Sequence, residues 1–170
     1  DPPREYLDRI DIDSLPLPDW TEEDLREEES LANAGGQFQS KAARRKATKA
    51  RMDLAKYWAM IEQIDDQVGR MVKALEETGQ RKNTVVIFTS DHGHMIGDHG
   101  LTAKGCRFYE GLVRVPLIIS WPERFKKGFR SDALVELTDI APTLLELAGL
   151  KPPDQMHGRS LLPLLQNGSA

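Results

Sequence analysis

Cysteine is nearly absent from this sequence of 170 residues, which contains only Cys106. A single cysteine excludes an intrachain disulfide, and it leaves the redox compartment of the protein open. The sequence also lacks an excess of charge of either sign, because 23 Lys and Arg residues stand against 27 Asp and Glu residues. No long basic surface is predicted, which argues against binding to nucleic acid. No apolar run approaches the length of a membrane-spanning helix.

An initiator methionine is also missing, since the chain begins with Asp1, and no signal peptide precedes it. We therefore expect the sequence to begin within a longer protein or after a cleavage site. Its 170 residues are enough for one domain with a real core. Residues 1–18 are rich in Pro and Asp, and we expect them to be irregular. A break in the chain is predicted at 34–37, where the sequence reads Ala-Gly-Gly-Gln.

Helix signals dominate the first half of the chain. Thr21 and the acids that follow it are typical of a helix start, and we expect the acidic run 22–29 to be a solvated helix face. Between residues 54 and 75 apolar side chains recur at steps of three and four, which predicts a long helix that ends at Gly79. The aromatic pair at 57–58 within this helix is expected in the core.

Strand signals dominate the second half. Residues 84–90 are mostly β-branched or aromatic and carry no charge, which predicts a buried strand. Residues 117–120 predict a second strand. A proline stands just before it, and proline is tolerated at the first position of a strand but not at a central one. The remaining predictions are a third short strand at 133–137, a helix that starts at Thr138 or Asp139 and ends at Gly149, and one helical turn at 161–165.

A long loop with little periodicity follows the first predicted strand, and such a loop in a compact domain is usually functional. It opens with Asp91 and His92, at the end of a strand, where ligands collect in open α/β sheets. A carboxylate beside an imidazole predicts a divalent-metal site, and the nitrogen ligand favours manganese or zinc on chemical grounds. Lys104, further along the same loop, is expected to bind an anion.

Several motifs follow one another in and after this loop. They are Asp91-His92-Gly93, Gly97-Asp98-His99-Gly100, Lys104-Gly105, the run from Tyr109 to Pro116, the run from Leu137 to Thr143, and Gly158-Arg159-Ser160-Leu161. As an ordered set with matching spacing, they resemble the C-terminal half of the sulfatases, which belong to the alkaline-phosphatase-like superfamily. The resemblance begins near Tyr57 and continues to Leu161.

The resemblance implies an α/β fold of the alkaline-phosphatase-like (sulfatase) type, present in part, with a mixed sheet flanked by helices. It implies a connector and variable helical region at 1–52 and the C-terminal part of the sulfatase catalytic domain at 53–170. The implied activity is metal-dependent hydrolysis of a sulfate ester, on a sulfated small molecule or carbohydrate. The implied partner of this chain is the N-terminal portion of the parent protein, and the resemblance suggests a periplasmic or secreted location.

The resemblance also implies roles for residues of the loop. Asp91 and His92 are implied as metal ligands, with calcium as the metal, and Lys104 as the residue that binds the sulfate group. His99 stays open between a general acid, a substrate contact and a residue that packs the loop. Asp98 is expected to anchor the loop rather than to bind the metal.

One part of the sulfatase pattern has no match. Sulfatases use as nucleophile a cysteine or serine that is converted to formylglycine, in a Cys/Ser-x-Pro/Ala-x-Arg motif near their N-terminus. Cys106 does not stand in such a motif, so this role is not transferred to it, and the paired N-terminal aspartates of the metal site are also missing. We therefore expect a fragment that is inactive alone. Two alternatives stay open: a phosphate or phosphonate ester hydrolase of the same superfamily, and a non-catalytic domain that binds a metal or a partner.

Overall fold

The computed structural model describes residues 1–31, 44–105 and 107–167. The break predicted at 34–37 lies outside these described residues. Within the described ranges, the structure contains no helix that is both long enough and apolar enough to cross a membrane.

The chain divides into two compact units. The first consists of Asp1–Ala74 and His92–Pro116, and the second of Leu75–Asp91 and Leu117–Ala170. In the described part of the chain the helices are α1 (Arg4–Leu7), α2 (Glu22–Leu31), α3 (Ala47–Glu77), α4 (Glu110–Val113), α5 (Ile140–Leu147) and α6 (Leu162–Asn167), and the strands are β1 (Val86–Thr89), β2 (Met95–Ile96), β3 (Thr102–Ala103) and β4 (Leu117–Ser120).

The longest element is α3, and it confirms the long helix predicted from the apolar spacing. It begins at Ala47, earlier than the apolar pattern indicated, because a helix start does not require apolar residues. Gly79 ends the helix in the left-handed conformation, with a φ of +70°, and its N–H donates to Glu76 O at 3.0 Å. The predicted C-terminal glycine is therefore confirmed.

The aromatic pair on α3 is less buried than predicted. Ala55 and Ala59 are fully buried, whereas Trp58 is 44% exposed. Tyr57 is half-buried. The prediction of a core position is wrong for Trp58, because helical spacing shows that a helix has an apolar stripe but not which part of the chain covers that stripe.

The N-terminal segment is more ordered than predicted, because it packs along α3. It forms α1 and a 3-10 turn at Ile12–Ser14, and it buries Tyr6 and Leu15. Arg51 of α3 donates from Nε to Leu15 O at 2.9 Å. The prediction of an irregular segment at 1–18 is therefore wrong in part, because two buried apolar side chains fix a stretch that Pro and Asp made look like a loop.

The loop of the first unit is built around a small apolar core. The strands β2 and β3 pair antiparallel, with Met95 opposite Ala103. Met95, Leu101 and Leu112 are buried together, and Tyr109 packs against them. This core gives the loop a fixed course, although neither two-residue strand is long enough to produce a pattern in the sequence.

In the second unit the two main predicted strands are confirmed, and they pair with each other. β1 and β4 run antiparallel, with Val86 opposite Ser120, and β1 is shorter than the predicted range 84–90. Arg81 links the start of β1 to the end of β4, because its guanidinium donates to Ser120 Oγ at 2.5 Å and to Thr84 O at 3.0 Å. Every residue of β1 is half-buried rather than fully buried.

The third predicted strand is wrong. Residues 133–136 form no strand or helix, and a 3-10 turn follows at Leu137–Asp139. A strand requires a hydrogen-bonded neighbour, and Leu134 in this stretch has a fully exposed side chain. Apolar composition alone therefore indicated a strand that has no strand partner among the described residues.

The last two predicted helical segments are confirmed as α5 and α6. The predicted capping of α5 by the side chain of Thr138 or Asp139 is wrong: Asp139 precedes α5 but makes no side-chain cap hydrogen bond to it, and it instead closes a capping box with Glu136 around the 3-10 turn at Leu137–Asp139. Glu136 N donates to Asp139 Oδ2 at 2.9 Å. At the other end, Gly149 N donates to Glu146 O at 2.9 Å, which confirms the predicted end of the helix.

A set of neutral contacts, which we call the Thr143 clamp, joins α5 to the segment before α6. The buried hydroxyl of Thr143 donates to Asp139 O at 2.6 Å and accepts from Leu161 N at 2.8 Å. Gly158 stands so close to the turn before α5 that a Cβ atom there would lie 2.1 Å from Thr138 O. The clamp therefore fixes the last segment of the chain with hydrogen bonds and with a position that only glycine fits.

Candidate active-site loop

The loop that carries the predicted site residues is closed at its base. Gly93 N donates to Leu112 O at 2.8 Å. A Cβ atom on Gly93 would lie 2.0 Å from Gly111 O, so only glycine allows the two segments to come this close. The closure fixes the backbone beside His92 and holds the two ends of the loop together.

Lys104 and His92 meet inside this loop. Lys104 Nζ lies 2.9 Å from His92 Nε2, and His92 Nδ1 lies 2.7 Å from Gly93 O. A carbonyl oxygen can only accept, so the imidazole proton belongs on Nδ1, and Nε2 accepts from the lysine ammonium. The contact thus brings Lys104, the predicted anion-binding cation, to the ring of His92.

Lys104 is held on both sides along the chain. Ala103, the residue before it, pairs with Met95 in the β2–β3 hairpin and has a φ of +68°, in the left-handed region. Arg107, which follows three residues later, is buried and hydrogen-bonded to the carboxylate of Glu28 at 2.8 Å. The exposed ammonium of Lys104 therefore stands on a backbone that contacts on either side hold in place.

Asp91 is the last residue of the first segment of the second unit. Its side chain is exposed, and Ser90 Oγ lies 3.5 Å from Asp91 Oδ1, which is the outer limit for a hydrogen bond. That Asp91 and His92 bind one cation stays a prediction.

The donor set of the loop fits part of a metal site. In the ranges 1–31, 44–105 and 107–167, no group of three or more His, Cys, Asp and Glu residues could hold a metal ion. With its proton on Nδ1, His92 would offer a metal the lone pair of Nε2, the same atom that lies 2.9 Å from Lys104 Nζ in this structure. Calcium takes six to eight oxygen ligands, so Asp91 and His92 would supply only part of its coordination.

His94, which the sequence left unassigned, lies in the electrostatic neighbourhood of this pair. Its ring stacks on Tyr57, with 6.1 Å between the ring centroids. Loss of hydration lowers the pKa of His94, and the nearby charges of His92 and Lys104 lower this pKa further. His94 therefore adds a mostly neutral ring next to Lys104 at neutral pH.

His99 has contacts of a different kind. Its Nδ1 lies 2.7 Å from Asp24 Oδ1, and its ring stacks on Tyr109 with 4.0 Å between the centroids. The hydrogen bond from His99, followed by those from Thr21, lowers the pKa of Asp24 to about 2. These contacts are those of a residue that packs the loop, while the acid and substrate roles of His99 stay predictions.

A cavity of about 790 Å³ opens beside His99. Aromatic side chains and carboxylates dominate its lining, and neither His92 nor Lys104 is among the residues that line it. The lining consists of Asp19, Trp20, Thr21, Glu23, Asp24, Glu27, Met95, Asp98, His99, Phe108, Tyr109, Glu110 and Gly111.

Contacts from α2 were missed by the sequence. The acidic run was expected to be solvated, but Glu28 is only 5% exposed and receives two hydrogen bonds from Arg107. Tyr109 Oη also donates to Glu28, at 3.3 Å, and burial followed by the charge of Glu28 raises the pKa of Tyr109. The expectation is wrong for Glu28 because its partner stands 79 residues away, beyond the reach of any local pattern.

Asp98 anchors the loop, as predicted. Its Oδ1 accepts from Asp19 N at 2.9 Å, and the next residue of the loop, His99, donates its N–H to Asp19 O at 2.8 Å. Cys106, the residue excluded as the formylglycine precursor, lies outside the described residues, and its exclusion stays a prediction.

Comparisons with known proteins relate this chain to the sulfatases. The profile of the sulfatase family matches residues 28–150. The chain is 38% identical to an arylsulfatase of Clostridium perfringens over 98% of its own length and 34% of that protein. It is 41% identical to an N-acetylglucosamine-6-O-sulfatase of Bacteroides thetaiotaomicron over 65% of its own length and 20% of that protein.

A solved structure is similar over almost the whole chain. It is the phosphonate monoester hydrolase SpPMH from Silicibacter pomeroyi, with a TM-score of 0.84, 29% identity, and coverage of 99% of this chain and 35% of that one. This similarity confirms the predicted fold, a partial α/β fold of the alkaline-phosphatase-like type. The chain spans about a third of the length of the arylsulfatase and of the hydrolase that it matches. By its sequence and its fold, the chain belongs to the sulfatase family.

Proposed function

We propose that the full-length protein that carries this chain hydrolyses a sulfate ester, and that this chain supplies the cation that binds the sulfate group. The observation that carries the proposal is the contact between Lys104 Nζ and His92 Nε2, at 2.9 Å. It joins the lysine that we propose as the anion-binding group to an imidazole, on a loop that is closed at its base. The similarity to an arylsulfatase supports sulfate as the group that is cleaved.

In this proposal each residue of the chain has a defined task. Lys104 binds a sulfate oxygen and offsets the negative charge that develops on the leaving oxygen. His92 and Asp91 hold part of a divalent metal site, with calcium as the metal that the family suggests. When bound, such a metal polarises the sulfate group. The remaining ligands and the formylglycine nucleophile would come from the part of the protein outside this chain.

One of the relatives supports a substrate class for the proposal. An N-acetylglucosamine-6-O-sulfatase is 41% identical to this chain, which favours a sulfated carbohydrate over a simple aryl sulfate. We retain residues 1–52 as a connector and variable helical region and residues 53–170 as the C-terminal part of the catalytic domain.

Cleavage of a phosphonate or phosphate ester is the second candidate. The structural similarity to a phosphonate monoester hydrolase favours it. A lysine ammonium is a point charge that binds tetrahedral anions of sulfur and of phosphorus alike. A non-catalytic domain that binds a metal or a partner is the third candidate, and the missing nucleophile motif favours it for this chain alone.

The deciding experiment uses the full-length protein and a matched pair of variants. 4-Nitrophenyl sulfate and the 4-nitrophenyl ester of phenylphosphonate are assayed with calcium, magnesium and manganese. Lys104→Ala is expected to lower kcat/KM for the sulfate about 10²- to 10³-fold, with metal content unchanged. Lys127→Ala, which removes an exposed lysine of the second unit, is expected to leave kcat/KM for the sulfate unchanged.

Each alternative has its own outcome. Faster turnover of the phosphonate than of the sulfate would support the second candidate, and no turnover of either would support the third. Near wild-type activity of Lys104→Ala would reduce Lys104 to a surface residue. The 170-residue chain alone is expected to turn over neither compound, because it has no matching nucleophile motif, and metal-dependent turnover by it would refute the fragment interpretation.

A further inference from the structure

We propose that residues 18–28 act as a strap that positions the loop of Lys104, and that Glu28 is a positioning residue for the reaction. We call these residues the acidic strap. The proposal rests on the proposed function, because it assigns the strap a task in holding Lys104 for sulfate binding. It gives a role to a stretch whose sequence indicates only a solvated helix.

The acidic strap contacts the loop at successive points along both segments. At its start, Pro18 lies against Gly97, where an added Cβ would come within 2.5 Å of the proline ring. Asp19 then exchanges two hydrogen bonds with the turn at Asp98–Gly100, as described above. Asp24 binds the His99 ring, and Glu28 binds Arg107. The strap and the loop therefore run alongside each other with matching order of contacts.

The contact at Glu28 is the one closest in sequence to Lys104. Arg107 and Glu28 are both buried, with 6% and 2% of their side chains exposed. The guanidinium donates from both Nε and Nη2 to the same carboxylate oxygen, Glu28 Oε2, in charge-assisted hydrogen bonds. Tyr109 Oη donates to the other carboxylate oxygen, Glu28 Oε1, at 3.3 Å. Glu28 thus fixes Arg107 and Tyr109, which follow Lys104 in the chain.

The backbone on the other side of Lys104 has a local anchor. Ala103 is paired with Met95 inside the loop itself. The two sides of Lys104 are therefore held differently, one by the loop's own hairpin and the other by a carboxylate that the acidic strap supplies. Loss of the second anchor would let the residues after Lys104 shift while the hairpin and the apolar core of the loop stay in place. A displacement of about 1 Å at a reacting group can cost about 100-fold in rate.

The main test measures kinetics in the full-length protein. Glu28→Gln removes the charge opposite Arg107, Glu28→Asp keeps it on a shorter stem, and Glu29→Gln makes the same change at the next residue, which is exposed. The probes are aryl sulfates whose leaving phenols differ in acidity. Glu28→Gln is expected to lower kcat/KM about 10- to 100-fold, most for the least acidic phenols, because Lys104 would no longer offset the charge on the leaving oxygen. Glu28→Asp is expected to recover part of the loss, and Glu29→Gln to show none.

A double-mutant cycle separates positioning from a general loss of structure. If Glu28 acts through Lys104, Glu28→Gln has no further effect on kcat/KM in the Lys104→Ala background. Additive losses, or a loss that is equal for all leaving groups, would overturn the proposal and leave Glu28 a purely structural residue. Should Glu28→Gln fail to fold, Asp24→Asn tests the same strap at His99, with the same dependence on leaving group expected at a smaller size.

A second readout does not depend on sulfatase activity. Hydrogen exchange in the full-length protein is expected to accelerate in Glu28→Gln over peptides that cover 98–109, and not over α5. Unchanged exchange at 98–109 would overturn the strap itself. Turnover of neither sulfate nor phosphonate by the wild-type protein would refute the proposed function instead, and the exchange result would then decide whether the strap holds the loop.

Discussion

The loop of Lys104 and the Thr143 clamp solve the same problem with different chemistry. Both bring distant segments so close that only glycine fits, at Gly93 and at Gly158. The loop, however, is held by charged groups from 75 and 79 residues away, whereas the clamp uses a buried hydroxyl and a partner 18 residues away. Charged contacts depend on pH and on an exact partner, while neutral buried hydrogen bonds do not titrate. The loop therefore depends more on charged contacts than the clamp does, although beside the clamp the carboxylate of Asp139 also accepts from Arg159 N at 2.7 Å.

The largest effect on stability is expected from Glu28→Ala. It leaves the Arg107 guanidinium buried without its carboxylate, and loss of one partner of a buried ion pair costs about 3–5 kcal/mol of the free energy of unfolding. Chemical denaturation of the chain measures this cost. Glu29→Ala, at an exposed neighbour, is the control and should stay within about 0.5 kcal/mol of the wild type. Equal losses in the free energy of unfolding for the two variants would show that the buried pair makes no special contribution to the stability of the loop.

Gly158→Ala should weaken the clamp by a purely steric route. The new Cβ would lie 2.1 Å from Thr138 O, so the backbone must move, and overpacking of this kind costs about 1–3 kcal/mol. Gly69→Ala is the matched control, because Gly69 lies inside α3 with nothing within 4 Å of the added atom. That change should stabilise the chain by about 0.5–1 kcal/mol. A stable Gly158→Ala variant would contradict the close approach.

Thr143→Val tests the hydrogen bonds of the clamp without changing its size. The change leaves Asp139 O without this donor and Leu161 N without this acceptor, which costs about 1–3 kcal/mol. Thr143→Ser keeps the hydroxyl and should lose less, about 1 kcal/mol for the missing methyl group. Urea denaturation of both variants gives the order, and a Ser variant less stable than the Val variant would exclude the hydroxyl as the main contribution.

The smallest expected effect is a dependence on pH that is confined to the loop side. The pKa of Asp24 is lowered from 3.8 to about 2, so the carboxylate is favoured in the folded state. Its contribution to stability is fully present above the unfolded pKa of 3.8 and is lost as the pH falls through about 2. Thermal unfolding between pH 5 and 2 should therefore show a shallower loss for Asp24→Asn than for the wild type. Thr143→Val should instead keep the wild-type slope, and parallel curves for all three proteins would contradict the assignment.

Sequence patterns predicted those elements of the fold whose formation depends on residues close together in the chain. The periodicity of α3 and the glycine that ends α5 act within a few residues, and both helices formed, although α3 begins earlier than its apolar pattern indicated. The stretch 133–137 did not form a strand, because a strand depends on a neighbour that composition cannot reveal. The pairing of Glu28 with Arg107 stayed hidden for a similar reason, since it joins residues 79 positions apart.

The site was predicted in the same uneven way. The motif located His92 and Lys104, and the structure brings these two side chains into contact. What the motif did not contain is the support around them, which comes from Ala103 and from α2. Support of this kind depends on which segments the fold brings together, and it leaves no pattern of its own in the sequence.

Because its base is closed at Gly93, the loop of Lys104 can be exchanged as one segment between related proteins. Its two ends are joined by the hydrogen bond from Gly93 to Leu112, so the backbone enters and leaves the loop at one place. For a flexible insertion, each doubling of loop length costs only about 0.6 kcal/mol in closure entropy. A library that varies the interior between Gly93 and Gly111, with both glycines and the residues that contact the acidic strap kept, would therefore leave the attachment of the loop to the first unit constant.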